Sequence, residues 1–179
     1  MLSKTRIAKV LKNISVFGIL SPVQMYSVDQ IVKAFEKYGD GDANKLAYIL
    51  ATAWHESRLK PIKEIRAKYG KTKALQDKYW HTGYYGRGFV QLTWKRNYAE
   101  MSRIIGVDLV NNPDKALEVP ISAKILVYGM LKGTFTGKAL ADYINNRQVD
   151  FYTARKIVNG LDKARLIQSH AQKLVCYVK

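Results

Sequence analysis

Glu56 and Glu64 stand in surroundings different enough to serve as the acid and the base of one cleft. Glu56 closes an apolar stretch (Leu46, Ile49, Leu50, Ala53, Trp54) whose spacing is helical. At about 100° per residue it falls two turns beyond Ile49, beside the apolar stripe rather than on the wet face. A carboxyl there is short of water, the setting of a proton donor. Glu64 lies past a helix break at Pro61, among Lys60, Lys63, Arg66 and Lys68, and so much positive charge suits a carboxylate. The alternative for the same stretch is a helix-end glutamate beside a solvated run of charge.

The elements that must position this pair read as mostly helical. Ser21-Pro22 is a helix start, and Val28, Ile31, Val32 and Phe35 carry the helical period onward. Gly39 to Asp42 turns the chain into the glutamate-bearing helix; Asp40, Asp42 and Asn44 lack the later ligands of a calcium loop. A lysine-rich stretch runs to Lys78, read as loop with helical turns. Between Tyr79 and Trp94, Gly83, Gly86 and Gly88 sit among aromatics and predict the tight turns of a small hairpin. From Phe89 the residues alternate. An extended strand would turn Val90, Leu92 and Trp94 to the core and Phe89, Gln91 and Thr93 to a polar groove. Ile121 to Leu131 is apolar enough for a buried helix, Gly133 to Gly137 is a turn, and Asn159-Gly160 marks a stop. The expected architecture is mainly α with one small β-hairpin.

The formal charge of +16 is spread along all 179 residues and favours a polyanionic partner: nucleic acid, an anionic membrane surface or an acidic wall polymer. Cys176 is the one cysteine, which excludes an internal disulfide and suits folding in a reducing compartment. His55, His81 and His170 are too scattered for a metal site, so no metal and no cofactor is expected. Near the start, Ile7, Val10, Leu11 and Ile14 recur at helical spacing between lysines. They predict a basic amphipathic helix over 1–14 packed on a single domain over 15–179, with membrane-surface contact as the alternative. The apolar run from Ile14 to Leu20 is short for a signal peptide and no cleavage pattern follows it.

Trp54-His55-Glu56-Ser57, the stretch Tyr84-Tyr85-Gly86-Arg87-Gly88-Phe89-Val90-Gln91-Leu92-Thr93-Trp94, Asn97-Tyr98 and Ile157-Val158-Asn159-Gly160 closely resemble glycoside hydrolase family 19. That family holds the plant-type chitinases and a group of bacteriophage endolysins. The resemblance implies a lysozyme-like, two-lobed helical domain with the small hairpin beside its cleft. It also implies inverting hydrolysis of a β-1,4 bond next to an N-acetylated sugar. Carried over residue by residue, it makes Glu56 the general acid and Thr93 the holder of the attacking water. Tyr85, Arg87, Gln91, Asn97 and Asn159 become substrate-binding residues. Glu64 fits the short acid-to-base spacing of compact phage members, with Asp77 as the other candidate base. Inverting hydrolases keep their two carboxyls roughly 6.5–9.5 Å apart to admit a water, and a break at Pro61 can leave such a gap.

Chitin carries no charge for +16 to meet, whereas peptidoglycan and its envelope are acidic. The expected protein is therefore a monomeric phage endolysin cutting bacterial peptidoglycan, made in the host cytoplasm without a signal peptide and released to the wall by a holin-type pore. Electrostatic contact with the anionic envelope and no specific nucleic acid belong to the same reading. The rivals are a chitinase acting on chitin oligomers and a non-catalytic basic nucleic-acid-binding protein, for which no base-reading motif is present.

Overall fold

Gln24 reaches back to Ser21, accepting from its amide at 2.9 Å and its hydroxyl at 3.0 Å, and so fixes the start of α1 (Pro22–Tyr38). The computed structural model describes residues 9–12 and 14–179. In chain order, α1 is followed by α2 (Ala43–Ser57), α3 (Gly70–Gln76), α4 (Lys95–Ile105), α5 (Val119–Lys132), α6 (Leu140–Tyr143) and α7 (Ala164–Val178). Short 3-10 turns lie at Trp80–Thr82, Pro113–Leu117 and Thr153–Ile157. The mainly α class is as expected. Of the expected N-terminal helix, residues 9–12 are helical and Val10 is buried in the core; 1–8 and 13 lie outside the described residues.

Helix α2 is the axis. Asp42 caps it by accepting from the Asn44 amide at 2.8 Å, and every residue from Lys45 to Ala53 is buried. A helix covered on all sides is a core helix rather than an amphipathic one. Ala47, Ala51 and Ala53 let neighbours approach its backbone closely, and α7 lies along it through Ile167, Ala171 and Leu174. Helix α1 packs on α5 with Val28, Ile31, Val32 and Phe35, the face its spacing predicts. Each fully buried Leu or Ile contributes roughly 1.5–3 kcal/mol, and Leu46, Ile49 and Leu50 of α2 are three of them.

The end of α2 is not made by Pro61. Arg58 and Leu59 adopt left-handed backbone at φ 53° and 56°, closing the helix two residues earlier. Such residues cost about 1–2 kcal/mol each when they are not glycine; the fully buried Leu59 side chain offsets that. The chain then forms β1 (Ile62–Lys63), antiparallel to β2 (Arg87–Gly88) with Ile62 opposite Gly88 and Lys63 opposite Arg87. A second antiparallel pair, β3 (Ile144–Asn145) and β4 (Gln148–Val149), forms a hairpin elsewhere.

The alternating strand expected from Phe89 to Trp94 is absent. Gln91 and Trp94 have φ of 55° and 74°, so the segment is a turn closed by the Arg87–Leu92 bridge. Val90 and Leu92 are buried as expected, but Phe89 is also in the core, held by its amide on Ser122 Oγ at 2.8 Å, and Trp94 is exposed, so these two differ from their predicted faces. Gly88 is indispensable here. At φ 85°, a Cβ on it would meet Ser122 Oγ at 2.7 Å and the Ala116 carbonyl at 2.9 Å.

His55 and His170 sit near the joint of α2 and α7, where Phe17 stacks on Trp54 and meets His170 edge-on. Burial first, then nearby cations, holds the His170 imidazole below its ordinary 6.5, and burial does the same for His55. His170 Nδ1 is buried with no hydrogen-bond partner among the described residues. With folded values depressed, the unfolded chain takes up protons first, so stability is present above about 6.5 and falls as pH drops below it. Thermal unfolding followed by circular dichroism should show a lower Tm at pH 5 than at pH 7, and His170→Gln should flatten that slope.

Candidate active site

Glu64 follows β1 and is clamped by three donors. The Gln76 amide and the Tyr79 hydroxyl donate to Oε1 at 2.9 and 2.7 Å, and the Gly86 backbone amide donates to Oε2 at 2.8 Å. Burial, and then the bond to Glu64, pushes the Tyr79 phenol up, so it stays a neutral donor. The cations expected around Glu64 have gone elsewhere: Lys63 to Asp114 at 3.4 Å and Arg66 to Asp77 at 2.8 Å. Neutral donors thus hold this carboxylate, and they fix its direction as a loose ammonium would not. Asp77 is exposed and held below its ordinary value by Lys73 and then Arg66. A carboxylate so occupied is a poor base.

Glu56 is at the helix end and short of water as expected, but it has a partner that its sequence neighbours do not suggest. Its side chain is 19% exposed and is bonded by Nη1 of Arg155, a residue only 3% exposed on the Thr153–Ile157 turn. Arg155 Nε donates to the Asp162 carbonyl at 3.0 Å, and the Arg155 carbonyl accepts from the Asn159 amide at 3.1 Å. The late Asn-Gly segment is therefore tied to Glu56 across 99 positions of sequence. Asn159 itself is exposed, its side chain accepting from the Gly160 amide at 2.8 Å.

A pocket of about 170 Å³ is lined by Gln91, Thr93, Asn97, Phe135 and Val158 among others. Its lining brings the Val90–Trp94 turn together with Val158, which follows the Thr153–Ile157 turn. Gly86 and Gln91 are in close contact: a Cβ on Gly86 would come within 2.7 Å of Gln91 Oε1 and 3.1 Å of Glu64 Oε2. Thr93 Oγ1 donates to the Gln91 carbonyl at 2.8 Å, and Asn97 donates to the Thr93 carbonyl at 2.8 Å. That network leaves the Thr93 oxygen's acceptor capacity for another hydroxyl.

Tyr85 and Arg87 line a separate groove of about 470 Å³ with Lys63, Asp114 and Glu118. Arg87 is buried and spent internally, on Asp114 at 2.6 Å, the Gly83 and Tyr85 carbonyls, and Tyr98. It stacks under Tyr85, whose other neighbour is Trp80 at 4.4 Å and nearly parallel. Arg87 thus holds the Tyr85 ring in place.

Sequence reasoning missed Arg155, Gln76 and Tyr79. Gln76 is 2% exposed and its carbonyl also accepts from the Ala67 amide at 2.7 Å, while its amide donates to the Ile65 carbonyl at 2.9 Å. Gln76→Leu keeps the volume and loses all three bonds. Each buried group left unpaired costs about 1–3 kcal/mol, so urea unfolding should show a clear loss, with Tyr79→Phe losing less.

A family model described as class I chitinase, glycoside hydrolase family 19, matches residues 33–160. Endochitinase A2 of Pisum sativum is 32% identical over 111 residues, covering 54% of this chain and 34% of that protein. The acidic 27 kDa endochitinase of Solanum lycopersicum is 36% identical over 93 residues, covering 44% and 37%. A protein named inactive chitinase-like protein 1, from Hevea brasiliensis, is 37% identical over 65 residues, covering 36% and 21%. The chain spans about a third of the length of the first curated relatives it matches. Among solved structures, chitinase C from Streptomyces griseus HUT6037 superposes with a TM-score of 0.60 at 18% identity, covering 98% of this chain and 74% of that one. A bacterial family 19 chitinase gives 0.57 at 16%, covering 99% and 94%. At that identity the likeness shows the shared lysozyme-like fold.

Proposed function

Because the chain belongs to glycoside hydrolase family 19, we propose that it hydrolyses the β-1,4 bonds of an N-acetylglucosamine polymer, with chitin oligomers as substrate, by one inverting displacement. One relative is named inactive, so family alone does not carry the activity. The observation that supports it is the clamp of three neutral donors on Glu64, whose Gly86 donor is in contact with Gln91 of the Gln91–Thr93–Asn97 pocket, together with the pairing of Glu56 with a buried arginine. In this reading Glu64 takes a proton from a water whose other contact is Thr93 Oγ1, and the water attacks the anomeric carbon. Glu56 gives its proton to the leaving oxygen, and Arg155 stabilises the carboxylate left behind, where charge develops in the transition state.

The charge of +16 supports a second reading, a phage endolysin acting on bacterial peptidoglycan after holin-type release from the cytoplasm. Proton NMR of a fresh digest of an N-acetylglucosamine hexamer tests the first: the new reducing end should appear as the α-anomer. Loss of turbidity from purified peptidoglycan, with the hexamer untouched, would replace it by the second. Inactivity on both would end the hydrolase reading.

A further inference from the structure

Residues 60–78 form a lobe that the rest of the fold hardly covers. Of its side chains only Gln76 is buried. Ile65 is 87% exposed, Tyr69 84% and Leu75 58%, with no protein surface packed over them. The lobe carries seven lysines and arginines against Glu64 and Asp77, a net +5 of the chain's +16. Arg66 and Lys73 are paired with Asp77, and Lys63 with Asp114; Lys68, Lys71 and Lys78 are exposed and have no acidic partner among the described residues. Along α3 and just beyond it, Lys71, Ala74, Leu75 and Lys78 are all exposed at positions i, i+3, i+4 and i+7, while Gln76 turns inward. Free ammonium groups and uncovered apolar side chains therefore occur together on this lobe, Lys71, Leu75 and Lys78 on one face of it.

We infer that this lobe docks on an anionic phospholipid surface. Lysines at such a surface meet lipid phosphates while their stems lie along the apolar boundary. Ile65 and Leu75 enter that boundary, and Tyr69, with an apolar ring and a polar tip, suits its headgroup level. A phosphate-rich polymer without lipid would satisfy the lysines but leave Ile65 and Leu75 in water, and the surface has both features. Contact is peripheral: no helix among the described residues is long and apolar enough to cross a membrane. The docking needs no catalysis, so its failure would leave the hydrolase reading untouched.

Cosedimentation with phosphatidylcholine vesicles, with and without phosphatidylglycerol, tests it at low salt. The protein should bind only vesicles containing phosphatidylglycerol. Neutralising Lys68, Lys71 and Lys78 together to glutamine should weaken the partition by about a hundredfold. Ile65→Ser with Tyr69→Ser and Leu75→Ser should weaken it by about tenfold or more. Circular dichroism confirms that the variants fold. The single change Tyr69→Trp gives a second readout, a blue-shifted emission on vesicle addition that free polyphosphate does not produce. No binding to anionic vesicles, an apolar triple variant that folds and binds as tightly as wild type, or an unshifted Tyr69→Trp emission would each overturn the inference.

Discussion

Glu56→Gln is expected to lower turnover of an N-acetylglucosamine oligomer by about two to four orders of magnitude, the usual contribution of a positioned proton donor, with the fold intact. The amide keeps the size of the side chain and an oxygen that accepts from Arg155, so the tie to the Thr153–Ile157 turn survives. What is lost is the proton. The discriminating measurement varies the leaving group. An aryl glycoside whose phenolate departs unaided needs no donor, so the deficit of Glu56→Gln should shrink sharply on it. A deficit of equal size on both substrates would mean that Glu56 acts by orientation or binding. Arg155→Lys makes the complementary point: it keeps the charge but not the forked geometry that spans Glu56 and the Asp162 carbonyl. Its loss should fall mainly on kcat rather than KM if the arginine stabilises charge that develops as the proton leaves.

The helical frame was legible because its signals are local. Ser21-Pro22, Asp42 and the apolar periods of Val28 to Phe35 and Ile121 to Leu131 each depend on residues a few positions apart, and each lies in the structure where its spacing puts it. The Phe89–Trp94 segment misled because positive φ at Gln91 and Trp94 leaves no mark on residue type; glycine would have announced it. The sequence singles out the two carboxyls, but the partners it suggests for them are not those of the fold. Sequence neighbours surrounded Glu64 with cations and left Glu56 alone, whereas the fold sends Lys63 and Arg66 to aspartates and brings Arg155 to Glu56. Charge that is near in sequence is a poor guide once competing acids are within reach. Gln76 was hidden in a lysine-rich stretch, where a lone amide reads as surface.

Glu64→Ala is expected to abolish hydrolysis of the same oligomer, and its consequences separate a base from a structural carboxylate. A carboxylate accepting from Gln76, Tyr79 and Gly86 cannot be replaced by glutamine without setting an N–H against one of those donors. Glu64→Gln should therefore lose both activity and stability, while alanine leaves space that water can fill. Into that space a small anion such as azide can enter. If Glu64 acts by deprotonating the attacking water, azide needs no base, and its addition should restore turnover in Glu64→Ala and yield the α-glycosyl azide, the product of attack opposite a β bond. A variant that azide fails to rescue, though folded and able to bind oligomer, would reduce Glu64 to a support for Gly86 and Gln91. Asp77→Asn provides the contrast. Its carboxylate is exposed and occupied by Arg66 and Lys73, so hydrolysis should remain near wild type. An inactive Asp77→Asn rescued by azide would move the base from Glu64 to Asp77, and the clamp of three neutral donors would then have no catalytic purpose.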